Sequence, residues 1–329
     1  MEKKNIRIRN VILSCLLLGS TFSFAQNVDY SVPSVPEEKG LNLVKVTTDN
    51  DGVCMPKVRR SSTSLNWLTN KIVSISPDGQ RLAFLCYRNE ASNIFYKNLD
   101  KSSGTVQRTN RRGIVDFSFS PDGKTICFAE TQGKTTQIYL TDATNGYICR
   151  QVTTGANDYS PVYNPSMSEI LFSRGENTGF NIWSYNTKEK YLSSHAAGIN
   201  PYPLGDGSSY LCARENADRR YEIWRVNPSQ GIEECILTDR NRSFATPTLS
   251  PDGKWILVVG ESALQNGNAQ YRNTDIYVCA PDGSDLRQLT YHAADDLSPA
   301  WSTDGKYIYF ISQRGSATRV ANIWRMDFE

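Results

Sequence analysis

Histidine is scarce in this chain, and its two copies sit in similar company: His195 in Ser194-His195-Ala196-Ala197 and His292 in Tyr291-His292-Ala293-Ala294. An imidazole beside carboxylates can exchange protons near neutrality or ligate a divalent metal. The groups placed to join the pair are Asp158, Asn200, Asp295 and Asp296. A second set is cationic: Arg88, Arg174, Arg214, Arg219, Arg220, Arg272, Arg314 and Arg319 fall in polar stretches after apolar runs. Their planar forks suit the carboxylates of a partner or an acidic sugar. Glu90, Glu176, Glu215 and Asp218 are interspersed with them, so part of this charge is expected to be matched locally. Other motifs fall short of a reaction. Gly260-Glu261-Ser262-Ala263-Leu264 lacks the second glycine of a nucleophile elbow and reads as loop after an apolar strand. Asp49-Asn50-Asp51-Gly52 opens like a calcium loop without the downstream glutamate, and turn propensity accounts for it. No catalytic residue, metal or cofactor is assigned, and the residues favour a binding protein over an enzyme.

The elements that must position these groups are repeated. Ser76-Pro77-Asp78-Gly79, Ser120-Pro121-Asp122-Gly123 and Ser250-Pro251-Asp252-Gly253 are identical tetrapeptides. Asn164-Pro165-Ser166-Met167, Leu204-Gly205-Asp206-Gly207 and Ser302-Thr303-Asp304-Gly305 complete a series spaced 40 to 52 residues apart. Proline presets the first corner, aspartate accepts from neighbouring backbone donors, and glycine enters the left-handed region, so each tetrapeptide closes a hairpin. In phase with the turns runs a polar residue, isoleucine and an aromatic: Asn93-Ile94-Phe95, Gln137-Ile138-Tyr139, Asn181-Ile182-Trp183, Glu222-Ile223-Trp224, Asp275-Ile276-Tyr277 and Asn322-Ile323-Trp324. Apolar runs such as 82–86, 256–259 and 308–311 suit strands covered on both faces, and Gln151-Val152-Thr153 and Gln288-Leu289-Thr290 mark a fourth strand. Four strands per unit and six units predict an all-β, six-bladed propeller of four-stranded antiparallel blades over residues 41–329.

The last unit ends after its third strand. Leu43-Val44-Lys45-Val46-Thr47-Thr48, ahead of the first unit, resembles the missing fourth and is expected to pair near Ile323, removing an open sheet edge and closing the ring. In a propeller, loops from one blade's outer strand to the next blade's inner strand share a rim with the loops between second and third strands. His195, His292, Asp158, Asn200, Asp295, Asp296, Arg174, Arg219 and Arg272 are therefore expected on one rim, the Pro-Asp-Gly turns on the other. Segments 49–70 and 260–274 are expected as long loops, favoured places for recognition.

These repeats resemble those of the TolB-type propellers, periplasmic and six-bladed with serine-proline-aspartate-glycine turns. The resemblance implies a non-enzymatic scaffold for a protein or peptide of the cell envelope, such as a peptidoglycan-associated lipoprotein. A carbohydrate-active enzyme, a metal-assisted lyase on acidic sugars, is the alternative. Residues 26–40, read as a linker, leave no room for the α/β domain that precedes the propeller in TolB, and no peptidase domain follows Glu329.

The 36 basic and 34 acidic side chains give no reason to expect a nucleic-acid partner. Residues 1–25 begin basic, continue uncharged and apolar over 11–24, and place Ser23 and Ala25 around Phe24, the pattern of a cleaved secretory signal too short to span a bilayer. The expectation is a monomeric, periplasmic or secreted protein without a membrane span. Seven cysteines outlast Cys15, an odd number, mostly inside apolar runs and with no Cys-x-x-Cys, so buried free thiols are expected in place of a disulfide framework.

Overall fold

In four of the six units the hairpin is built by a serine and an aspartate together. In the second unit Ser120 Oγ donates to Asp122 Oδ1 at 2.6 Å and accepts from Thr125 N at 2.9 Å, while Lys124 N donates to the same carboxylate at 3.1 Å. Ser250 with Asp252 and Ser302 with Asp304 repeat the pattern, each serine donating at 2.7 Å. The hydroxyl is the main reason that the Asp122, Asp252 and Asp304 carboxyls lie below their ordinary range. Gly123, Gly253 and Gly305 close the turns at φ of 69°, 74° and 73°, and Met167 takes the same conformation at 59° in the third unit.

A computed structural model describes residues 30–55, 71–100, 104–177, 179–266 and 269–328, and in them the strands form six four-stranded antiparallel sheets. Blade one is Val73–Ile75, Arg81–Arg88, Ala91–Asn98 and Val106–Gln107; blade two is Ile114–Phe119, Thr125–Gln132, Thr135–Asp142 and Cys149–Gln151. Blade three is Asn157–Tyr163, Glu169–Glu176, Gly179–Asn186 and Leu192–Ala197; blade four is Ile199–Pro203, Tyr210–Glu215, Tyr221–Asn227 and Ile232–Leu237. Blade five is Arg242–Leu249, Ile256–Asn266, Ala269–Cys279 and Arg287–Gln288. Blade six takes Asp296–Trp301, Tyr307–Ser312 and Asn322–Asp327 from the C-terminal end and Val44–Lys45 from the N-terminal end.

The polar-isoleucine-aromatic motif is the third strand and the centre of each blade. Ile94, Ile138, Ile182, Ile223, Ile276 and Ile323 are all fully buried. The following aromatics oppose the middle of the second strand, as in Phe84 with Phe95, Phe128 with Tyr139, Phe172 with Trp183 and Phe310 with Trp324. Side chains on both faces of these strands meet neighbouring blades, which is why their sequences are continuously apolar.

The fourth strand is fastened by a Gln-x-Thr device. Thr109, Thr153 and Thr290 accept the isoleucine N–H of Ile94, Ile138 and Ile276 at 2.9 to 3.0 Å. Gln107, Gln151 and Gln288 reach the carbonyls of those same threonines at 2.6 to 2.8 Å. Closure reuses this chemistry. Val44 pairs with Arg325 and Lys45 with Trp324, Val46 N donates to Ile323 O at 2.8 Å, and Thr47 Oγ1 accepts Ile323 N at 2.8 Å. The expected N-terminal closing strand is thus observed in its expected register.

One expected loop is a sheet. The two long strands of blade five remain paired from Ile256 with Cys279 to Asn266 with Ala269, so 260–274 is a hairpin projecting past the other blades. Continuous antiparallel pairing satisfies its backbone, and Ser262 sits in that ladder opposite Asn273 instead of on a loop. Residues 1–29, which hold the signal segment, and 56–70, most of the other expected loop, lie outside the described residues.

Candidate functional site

The two histidines do not share a repeat position. The aromatic of the third strand faces Ser194 in blade three and Gln288 in blade five, so His195 corresponds to Leu289, three residues before His292. The reason is strand length: in blade three the outer strand runs through His195 to Ala197, whereas in blade five it ends at Gln288. His195 Nε2 lies 2.9 Å from Ser184 Oγ, its ring stands edge-on to Tyr210 of the next blade, and burial lowers its pKa. It packs blades three and four together. His292 is buried beyond the strand, with Nδ1 accepting Ala294 N at 2.9 Å and its ring edge-on to Tyr30.

Around His292 the chain has assembled a buried ionic cluster. Arg314, fully buried, donates to Glu38 at 2.8 and 2.9 Å and also to Asp296 Oδ2 at 2.5 Å. Glu38 arrives on a single 3₁₀ turn, Pro36–Glu38, and its Oε1 accepts Tyr291 N at 2.8 Å and His292 N at 3.2 Å. Asp295 Oδ1 accepts from Thr274 N and Oγ1 at 3.2 and 3.0 Å. Asp275 accepts from Asn273 Nδ2 at 3.2 Å, and burial followed by the charge of Asp296 pushes its carboxyl up to about 9. Burial raises Asp296 less, to about 6, because Arg314 opposes it. Glu38 and Asp296 thus share one guanidinium, an arrangement that fixes the 36–38 turn to blade six. Val32 and Tyr30 carbonyls accept from Gly315 and Ser316 at 2.8 Å, and Arg319 lies over the Tyr30 ring.

The remaining predicted residues stand in other blades. Asp158, fully buried, forms a two-pronged pair with Arg174 at 2.7 and 2.9 Å, and the guanidinium lies 4.6 Å from the Trp183 ring centre. Arg272 meets Glu261 at 3.3 Å and exposed Arg219 meets Glu215 at 2.6 Å. The structure therefore brings together His292, Asp295 and Asp296, and separately Asp158 with Arg174. It does not gather the nine residues into one site. Among the described residues, no three His, Cys, Asp or Glu side chains are grouped to hold a metal ion.

Asn200 belongs to a different feature, the axial channel. Ser160-Pro161, Asn200-Pro201, Thr246-Pro247 and Ser298-Pro299 each begin four residues before their unit's turn tetrapeptide. At each pair the innermost strand bulges, and Ser160, Asn200, Thr246 and Ser298 take φ of 51°, 52°, 51° and 51°. Proline is tolerated there because this strand's free edge faces the channel and needs no ladder donor. The corresponding positions of blades one and two, again four before the turn, hold Ile72 and Asp116. These pairs line a narrow cavity of about 30 Å³ together with Lys71, Asp116, Val162, Tyr202 and Thr248. A hydrogen-bond track runs along one side: Asn200 Nδ2 donates to Ser160 Oγ, which donates to Asp116 Oδ2, both at 3.0 Å. Asn200 Oδ1, Thr246 Oγ1 and Thr248 Oγ1 are buried without a partner among the described residues. The X-Pro spacing was a legible signal for this ring. Asp116 holds the same repeat position without the proline, and Lys71, one residue before that position in blade one, had no such signal.

The fold defines a six-bladed β-propeller. More narrowly, the chain belongs to the TolB β-propeller domain family, whose profile matches residues 57–227. It is similar to a TolB structure from Agrobacterium tumefaciens at 19% identity and TM-score 0.61, covering 79% of this chain and 90% of that one. Oligogalacturonate lyase from Vibrio parahaemolyticus shares the fold at 13% identity and TM-score 0.58, covering 87% and 93%. The peptidase YuxL of Bacillus subtilis (strain 168) is 26% identical over 213 residues, 62% of this chain, and the chain spans 31% of that relative's length. Among the described residues no helix is long and apolar enough to cross a membrane.

Proposed function

We propose that this chain is an exported propeller that binds a protein or peptide of the cell envelope and does no chemistry on it. The observation that carries this reading is the axial channel, where the neutral oxygens of Asn200, Thr246 and Thr248 are buried without a partner among the described residues and are available to recognise a ligand. Arg174 with Asp158, and Arg314 with Glu38 and Asp296, are engaged as buried ion pairs away from it. Membership of the TolB propeller family supports an envelope partner such as a peptidoglycan-associated lipoprotein, and the composition of residues 1–25 supports export to the periplasm.

The test is direct binding. Immobilised full chain should retain a purified peptidoglycan-associated lipoprotein or a discrete protein from envelope extract, and Asn200→Leu should abolish retention in a variant that stays folded, with a melting temperature lowered by the lost Ser160 bond and the left-handed backbone. A reporter fused after residue 25 should be exported. Release of unsaturated products from oligogalacturonate in the presence of Mn²⁺, with no retained partner, would instead establish the lyase reading.

A further inference from the structure

The axial cavity does not end at its proline ring. It continues toward the Pro-Asp-Gly rim into a wider vestibule of about 400 Å³, lined by Lys71, Tyr202, Thr248, Leu249, Pro251 and Trp301 among others, and Lys71, Tyr202 and Thr248 line both chambers. The vestibule wall is made of hydroxyls, rings, prolines and aliphatic groups, and the Lys71 ammonium is its one charge. Lys71 forms no ion pair among the described residues; its backbone N–H, not its ammonium, meets Asp116 Oδ1 at 3.3 Å. The same two chambers are lined by Thr248, whose hydroxyl has no partner among the described residues and which is only 7% exposed.

The aspartates around the mouth do not cancel this cation, because each is answered locally. Asp78 pairs with Arg81 at 3.1 Å and Asp252 with Lys254 at 3.4 Å. Lys124, Arg225 and Lys306 act in the same way on Asp122, Asp206 and Asp304. Inside, Asp116 is the one lining carboxyl whose charge acts on Lys71, with no side-chain ion pair between them among the described residues. Burial lowers the pKa of Lys71 and raises that of Asp116 to about 8, so both are held in surroundings that disfavour charge. An anion arriving beside the ammonium offsets that cost for Lys71.

We propose that the channel is entered from the turn rim by a slender ligand with an apolar or aromatic body and a terminal carboxylate, which lodges against Lys71 and the Thr248 hydroxyl. Tyr202, Leu249 and Trp301 receive the body. This rests on the channel being the recognition site, and it names the chemistry that the channel selects.

The probe is 4-phenylbutyrate, with 4-phenylbutanol as its uncharged counterpart, titrated into the full chain and followed by ligand-observed NMR. The acid should bind at least roughly tenfold more tightly than the alcohol, the difference expected for a charge-assisted contact in a poorly solvated site. Lys71→Met should remove that preference and Lys71→Arg restore it, with melting temperatures near that of the parent chain. Thr248→Val should weaken the acid more than the alcohol. Equal binding of acid and alcohol, no binding of either, or an unchanged preference in Lys71→Met would overturn the proposal. Such a failure, with envelope partner still lost in Asn200→Leu, overturns the carboxylate class alone. Lys71-dependent binding of the acid, with partner retention untouched by Asn200→Leu, overturns the partner reading alone.

Discussion

The buried cluster on blade six makes an asymmetric prediction about its two halves. Glu38→Gln keeps the length of the side chain and an oxygen for the Tyr291 and His292 amides, and Arg314 retains Asp296. Arg314→Met instead leaves Glu38 and Asp296 around an apolar stem with no guanidinium, and removes the charge that opposes the ionisation cost at Asp275. Removing one partner of a buried pair costs about 3–5 kcal/mol, so Arg314→Met should fall at the upper end and Glu38→Gln nearer the ~1–3 kcal/mol of an impaired buried hydrogen bond. At about 1.5–2 °C per kcal/mol for a domain of this size, the melting points should drop by roughly 6–10 °C and by less than about 6 °C. The double variant should cost less than the sum, because the second substitution removes one of the carboxylates that the first exposed. pH adds an independent check. Without Arg314 the carboxyls are raised further, the folded state binds more protons, and the deficit should be smaller at pH 5 than at pH 8. Calorimetry of the four proteins at both values decides the matter. A Glu38→Gln deficit as large as that of Arg314→Met, or strict additivity, would show that Arg314 does not hold this charge balance.

Three further outcomes follow from particular contacts. Thr47→Val strands the buried Ile323 N–H and should cost about 1–3 kcal/mol, while deleting residues 41–48 should expose an edge and unfold or aggregate the chain; unchanged melting in the deletion would refute the closure. Asp275, whose folded-state carboxyl is raised to about 9, makes the folded protein hold an extra proton between about pH 4 and 9, so stability falls as pH rises through that window. Asp275→Asn should flatten that fall, and an equally steep melting-temperature profile from pH 5 to 9 would assign it elsewhere. The seven cysteines of the described chain are free, with only Cys235 exposed, and burial raises its thiol to about 11. Alkylation of native protein should therefore begin at Cys235 and speed up with pH, and unreduced denatured protein should take label at all seven; mass spectrometry finding closed disulfides would contradict this.

What the sequence disclosed was whatever the repeat wrote many times. The turn tetrapeptides, the six isoleucines and the Gln-x-Thr segments each recur in phase, and each does a local job of hairpin, core or fastening that neighbouring residues reveal. The closing strand was legible because Val44 to Thr47 copies that fastening, down to the threonine that receives an isoleucine amide. The functional residues were harder to read for a physical reason. Glu38 meets Arg314 across 276 residues, and no local period announces such a contact. The likeness of the two His-Ala-Ala segments was textual: strand register sets them three positions apart, and only the lengths of the outer strands could show it.

The same contrast bears on where recognition occurs. The turn rim is uniform from blade to blade, which argues from symmetry that a ligand would be distinguished on the opposite rim. Yet uniform turns enclose a channel whose wall is not uniform. Four blades place a polar residue before proline at the bulge, blade two places Asp116 there, and blade one places Ile72 beside the single cation, Lys71. Symmetry is broken inside the ring, at the two blades that lack the Pro bulge, and an asymmetric ligand threading a symmetric mouth would be oriented by that break. The balanced ion pairs around the mouth fit this picture, since they hold the entrance near neutral and leave Lys71, with Asp116 as its one lining carboxyl, to act at depth, where weak screening gives one ammonium the most discrimination.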